Sequence, residues 1–247
     1  MRRTAVLTTL ALAGTMAFAQ KQMKPKSKGE ETAVRAMLSA QDPDSRIKAA
    51  DDLITKYADT EFKSYALYLE ADAYSQKNDT EKTIVYGEQA LEADPQSYQA
   101  AVLLCKTYAA TTHVNDLDKS EKLAKTDKYG KQALELLATA AKPNAQLSDA
   151  EWTNVKNDLI GQASLGLGIS AAYQNKMDDA NADFQKVAEM DTDPTDLIRA
   201  GRALLDAKKP DQATQWFDKA AAAPNANDQI KKIAASDKAR AQAMIKK

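Results

Sequence analysis

The sequence predicts an all-α fold of stacked helical hairpins, an α-solenoid, and three observations predict it. Composition is the first: of 247 residues 47 are alanine, about double ordinary usage, while Gly (8) and Pro (7) are scarce. Helix formers therefore run almost without interruption. The second is internal similarity. Tyr86–Glu92 (YGEQALE) and Tyr129–Glu135 (YGKQALE) differ at one position, 165–194 echoes 67–95 more loosely, and 199–224 makes a third copy. The third is a column of small residues, Ala71, Cys105, Gly168 and Gly201, separated by 34 residues in its first half and 33 in its second. Each lies in an apolar helical stretch that is followed by a polar turn, a second helix and a Pro or Asp break. A hairpin of this kind cannot bury its apolar face alone and must stack on another.

The elements follow in chain order. Met1-Arg2-Arg3 is a basic start, Ala5–Ala17 carries no charge, and Ala17-Phe18-Ala19 has the small-x-small pattern of a signal-peptidase site, so 1–19 reads as a cleaved secretory signal ending at Ala19-Gln20. Its apolar run is too short to span a bilayer as a helix, which takes roughly 20 residues. Losing it removes two positive charges from a chain of net charge −1 and leaves −3. Residues 20–29 (QKQMKPKSKG) read as a basic flexible linker. Glu30–Ala40 and Ser45–Ala58 form a degenerate helix pair within 30–60, broken at Asp42-Pro43. Clear units are expected over about 64–97, 98–140, 148–194 and 195–224, inside a helical domain of 30–226.

Aligned columns give these units their packing logic. Twelve residues after the small residue come Thr83, Ala180 and Ala213, and seven further on come Ala90, Val187 and Ala220. In the unit of Cys105 the equivalents, Thr126 and Ala133, are displaced by nine, so its turn carries an insertion. Small residues facing one another let two helices approach closely. Tyr74, Tyr108, Phe184 and Phe217 are expected to fill the gap to the next pair. Pro143-Asn144 marks a loop, and Ser148 with Glu151 a capping box. No breaker follows before Asn175, so a helix of about 27 residues is predicted, with Trp152, Val155, Leu159 and Ile160 on one stripe. Residues 227–247 read as a C-terminal capping helix whose Ile230, Ile233, Ala234 and Ile245 face inward.

On these residues the sequence resembles the tetratricopeptide repeat (TPR) family, of the exported bacterial kind. Leu167-Gly168, Gly201, Tyr74, Tyr108, Ala180, Phe184, Ala213, Phe217 and Pro95 match its sparse pattern, across about 160 residues from Ser64 to Pro224. The sequence departs from it where Glu70 stands in place of Leu, and where Gly87 and Gly130 replace a bulky residue. The resemblance implies a right-handed superhelix of antiparallel helix pairs whose first helices line a concave groove that binds a peptide or a partner helix. By that geometry the groove residues are Tyr65, Tyr68, Asp72, Gln99, Lys106, Gln162, Ile169 and Arg202. Tyr68 and Asp72 stand where the carboxylate-clamping members of the family carry cationic or amide groups, which disfavours that ligand.

The residues themselves exclude several chemistries. Nothing matches a nucleophile elbow, phosphate loop, paired-His metal motif or dinucleotide fingerprint. One His (His113) and one Cys (Cys105) leave no imidazole cluster, internal disulfide or Cys-type zinc site. Balanced charge, 34 Lys+Arg against 35 Asp+Glu, argues against nucleic acid. No catalytic residue, cofactor or metal is expected, and no membrane span remains once the signal is removed. The leading expectation is a non-catalytic exported scaffold that binds a protein or peptide, periplasmic in a Gram-negative cell or secreted. An accessory of envelope or cell-wall assembly is a second reading, and a small-ligand or glycan binder, or an enzyme with an unrecognised pocket, a third.

Overall fold

The structure is a computed structural model that describes residues 16–18, 21–144, 146–190 and 193–246. Residues 1–15 and 19–20, which hold most of the expected signal and its cleavage point, lie outside the described residues. Two compact units divide the chain, one of 1–100 with 140–148 and one of 101–139 with 149–247.

The first unit opens with a short antiparallel pairing that an all-helical reading does not anticipate: β1 (Met16–Phe18) beside β2 (Lys21–Met23), Met16 opposite Met23. The stretch read as a linker makes contacts with the first unit. Met23, its large apolar residue, is buried, and the Lys26 ammonium lies 2.7 Å from the Asp59 carboxylate and 2.6 Å from the Asp59 carbonyl. Ser27 then caps α1 (Lys28–Ser39) by accepting the Glu30 amide, and Asp42 caps α2 (Pro43–Lys56), which has Pro at its first position. Next come α3 (Lys63–Gln76) and α4 (Thr80–Ala93), α4 capped by Asp79. Val34, Met37, Leu53, Phe62 and Leu69 form this unit's core.

Helix α5 (Tyr98–Thr111) runs from the first unit into the second, which continues with α6 (Lys119–Thr139), α7 (Asp149–Tyr173), α8 (Met177–Met190), α9 (Pro194–Asp206), α10 (Pro210–Ala222) and α11 (Asp228–Ile245). The predicted long helix is α7, at 25 residues. The loop before it turns on Asn144, whose side-chain oxygen accepts the amides of Gln146 and Leu147.

Three of the hairpin turns share one construction. Asn78, Asn175 and Lys208 each adopt a left-handed backbone, φ 60°, 61° and 62°. The next amide in each case reaches back five residues, Asp79 to Tyr74, Lys176 to Ala171 and Lys209 to Leu204. That pairing satisfies the carbonyls a helix C-terminus leaves open and reverses the chain in two or three residues. The α5–α6 turn lacks the device and carries the nine-residue insertion instead.

Inside the hairpins every aligned small residue is buried: Ala71, Cys105, Gly168 and Gly201 in the first helices, Thr83, Thr126, Ala180 and Ala213 in the second. The aromatic positions differ from expectation. Phe184 and Phe217 do not only reach the next pair; each ring lies against the glycine of its own hairpin. A Cβ built on Gly168 would sit 2.5 Å from the Phe184 ring, and one on Gly201 2.5 Å from the Phe217 ring. Where the second helix carries glycine the arrangement differs: a Cβ on Gly130 would meet the Leu167 side chain of α7 at 2.7 Å and the Cys105 sulfur at 2.9 Å, and Gly87 is buried in the unit of Ala71. In the α7–α8 and α9–α10 hairpins glycine therefore faces a ring, whereas in the α5–α6 hairpin Gly130 faces the small Cys105. Packing also corrects two positions on the helix stripes. Val155 is 45% exposed, off the stripe that buries Trp152, and Ile245 is 45% exposed, while Met244 packs inward with Ile230 and Ile233. One step in sequence is about 100° around a helix, enough to exchange Met244 for Ile245.

Candidate partner-binding site

The residues assigned to a groove fall in both units, and each set has its own geometry. In the first unit Tyr65 and Tyr68, one turn apart on α3, stack with ring centroids 5.9 Å apart. They are partly buried against the Met37–Leu53–Phe62 core, and burial pushes both phenols up, Tyr65 to about 12. Part of each ring therefore serves packing and part remains as surface. Asp72, one turn on, is held by two neighbours: Arg46 of α2 approaches at 3.4 Å and Gln76 donates at 2.7 Å. Arg46 also donates to the Ala40 carbonyl, which fixes its guanidinium near the tyrosines. Gln99, at the start of α5, keeps its side-chain oxygen buried with no hydrogen-bond partner among the described residues.

In the second unit Lys106 of α5 donates to the Gln162 oxygen at 3.0 Å, and the Gln162 amide donates to Asp158 at 2.7 Å, giving a polar row from α5 onto α7. Ile169 is partly buried against the α7–α10 core. Arg202 is engaged by the terminal helix: its Nε donates to Asp237 of α11 at 2.6 Å. The structure thus ties Tyr65, Tyr68 and Asp72 together and links Lys106 to Gln162, while Arg202 is turned to the capping helix. Sequence reasoning missed Arg46, Asp158, Gln76 and Asp237. Spacing of four residues signals Gln76 to Asp72 and Asp158 to Gln162. Arg46 and Asp237 arrive from other helices and leave no local trace.

An open cleft of about 540 Å³ lies beside Tyr65 in the first unit, lined by Met23, Thr60, Lys63, Ser64 and Ser97 among others. Cys105 is wholly buried, its thiol directed at the Ala163 carbonyl and pushed well up by burial, which makes it a packing group and not a nucleophile. His113 is exposed in the inserted turn, where its backbone amide donates to Asp116. Among the described residues no three His, Cys, Asp or Glu side chains converge as metal ligands, and no helix is long and apolar enough to cross a membrane.

Antiparallel helix pairs, a left-handed residue at the hairpin turn and small residues where the helices meet define a TPR-like all-α repeat fold. The comparison with solved structures agrees: the chain is similar to TTC0263, a thermophilic TPR protein of Thermus thermophilus, with TM-score 0.54 and 14% sequence identity over 84% of this chain and 98% of that one. No family model and no curated protein matches the sequence.

Proposed function

We propose that this protein is a non-catalytic, exported scaffold that takes a protein or peptide on the surface of its first helices. The observation that carries the reading is the α3 face, where stacked Tyr65 and Tyr68 stand beside the fixed Arg46–Asp72 pair. Aromatic rings with few rotors to freeze, flanked by an oriented cation and anion, are the features of a recognition surface and not of a reaction centre. Fold alone warrants no more than the class of activity. Export is supported by the basic start, apolar run and Ala17-Phe18-Ala19 pattern.

The test is capture by chain 20–247 at near-physiological salt. A stoichiometric protein is expected with the native face and at least a tenfold weaker interaction with Tyr65→Ser, provided helical circular dichroism is unchanged. Recovery of the same material by both forms, or of nothing, refutes the binding face. Export is read separately, by N-terminal sequencing of protein from the extracytoplasmic fraction. A start at Gln20 supports it, and an intact Met1 in the cytoplasm refutes it.

A further inference from the structure

One column of the repeat is apolar in every unit but the first. The residue before each small position is Leu104, Leu167 and Ala200, all buried, but in the first unit it is Glu70. Glu70 is 0% exposed, and among the described residues no N–H or hydroxyl donates to its buried carboxyl oxygens; the hydrogen-bonding group beside it is another carboxyl, that of Asp51. The same unit shows what a satisfied buried glutamate looks like: Glu30 accepts the Lys26 amide at 2.6 Å and the Thr60 hydroxyl at 2.6 Å. Glu70 has no such donor; its contact with the Asp51 carboxyl is a hydrogen bond only while a proton lies between them. Asp51 faces it from α2 and Tyr86 from α4; on its own helix Tyr74 stacks on Tyr86 at 5.1 Å, and Lys82 of α4 lies over the Tyr74 ring at 4.8 Å. The charge opposite Glu70 across the α2–α3 joint is thus an anion, and burying an ionised carboxylate beside one is unfavourable twice over.

We propose that Glu70 is a proton-operated latch in the joint between the α1–α2 and α3–α4 hairpins: with its proton on, α2 packs on α3, and losing the proton loosens that joint. Burial, and then the Asp51 carboxylate, push Glu70 up to about 8 from an ordinary 4.5. Between these two values the folded chain holds a proton that the unfolded chain has released, so stability falls as pH rises from about 4.5 to about 8 and levels off above. Glutamine keeps the shape without the charge, and leucine restores the column.

The experiment is hydrogen exchange of the full chain with no partner present, from pH 5 to pH 9, corrected for the intrinsic pH dependence of exchange. In the native chain, protection of α2 and α3 amides is expected to fall at least tenfold across this range, while α9 and α10 amides hold. Glu70→Gln and Glu70→Leu flatten the α2–α3 profile. Asp51→Asn moves its midpoint to lower pH, because the anion that opposes ionisation of Glu70 is gone and burial alone remains. Carboxyl-carbon NMR of the native chain gives an independent reading whether or not the variants fold, with the Glu70 signal titrating near 8. Parallel profiles for native and Glu70→Gln, or a Glu70 midpoint in the ordinary carboxylate range, overturn the proposal. No ligand enters these measurements, so their outcome is separate from that of the binding face.

Discussion

Gly168→Ala in α7 tests whether a ring seated on glycine sets the close approach of the α7–α8 hairpin. Removing glycine from a helix interior normally stabilises by about 1 kcal/mol. Here the added methyl would lie 2.5 Å from two carbons of the Phe184 ring and 3.2 Å from a third. The ring cannot swing aside: it is 0% exposed and meets Trp216 edge-on at 5.6 Å. Overpacking a filled core costs roughly 1–3 kcal/mol, and a contact this short belongs at the upper end. The net expectation is a loss of about 1–2 kcal/mol. In a Phe184→Leu background the ring carbons are gone and the same alanine shows its propensity gain, so the coupling between the two sites is about 2–3 kcal/mol. Urea titration followed by helical circular dichroism reads the midpoints, and hydrogen exchange at α7 and α8 localises the change, because a repeat array need not unfold in one step. A higher midpoint for Gly168→Ala in the native background, or additivity of the two changes, refutes the reasoning.

The remaining predictions address the turns, the cap and the buried thiol. Lys208 holds a left-handed backbone that only glycine adopts freely, so Lys208→Gly raises stability by about 1 kcal/mol in the same titration, and Asn175→Ala lowers it by a similar amount. The Arg202–Asp237 pair is half exposed on the arginine side, so Asp237→Asn weakens the docking of α11 by less than about 1 kcal/mol, an effect that shrinks in added salt. Cys105 gives no reaction with a thiol reagent at pH 8 in the folded chain and one equivalent in denaturant; rapid native labelling contradicts its burial.

Much of the fold is legible in the sequence because repetition multiplies weak signals. One glycine in a helix says little, but Gly168 and Gly201 in register with Ala71 and Cys105 mark a place where backbones meet, and the structure buries all four. The partner of that column is harder to read. Sequence aligns positions within a helix type and does not say which column faces which, so it sends Phe184 to the neighbouring pair, whereas the ring also covers Gly168. The ends are least legible. The α11 sequence offers Met244 and Ile245 in adjacent positions, and only the packing of the terminal helices decides that Met244 turns inward. Of the binding face, the α3 tyrosines can be placed by spacing, but the ion beside them, Arg46, comes from a helix whose sequence carries no repeat signature.

The repeat accommodates its departure at Gly130 by taking bulk from the next hairpin. Gly87 and Gly130 stand where Phe184 and Phe217 stand in the later units, and the first helices opposite them carry Ala71 and Cys105 in place of glycine. Ala71 with Gly87, and Cys105 with Gly130, are far smaller than glycine with phenylalanine, so the pair within a hairpin does not by itself fill the contact; beside Gly130 the space is taken by the Leu167 side chain of α7, which a Cβ there would meet at 2.7 Å. Glu70 departs from its column, Leu104, Leu167 and Ala200 in the later units, in polarity. A leucine-sized carboxyl fills the column, yet among the described residues no N–H or hydroxyl donates to its oxygens, and the polar group beside it is the Asp51 carboxyl. A sequence selected for packing alone has no reason to retain such a group, because leucine fills the same space without a buried carboxyl to desolvate. If Glu70→Leu stabilises the joint at pH 8 but leaves it indifferent at pH 5, the difference between the two conditions is the measure of what the carboxyl adds: a response to proton concentration that the apolar columns of the other hairpins lack.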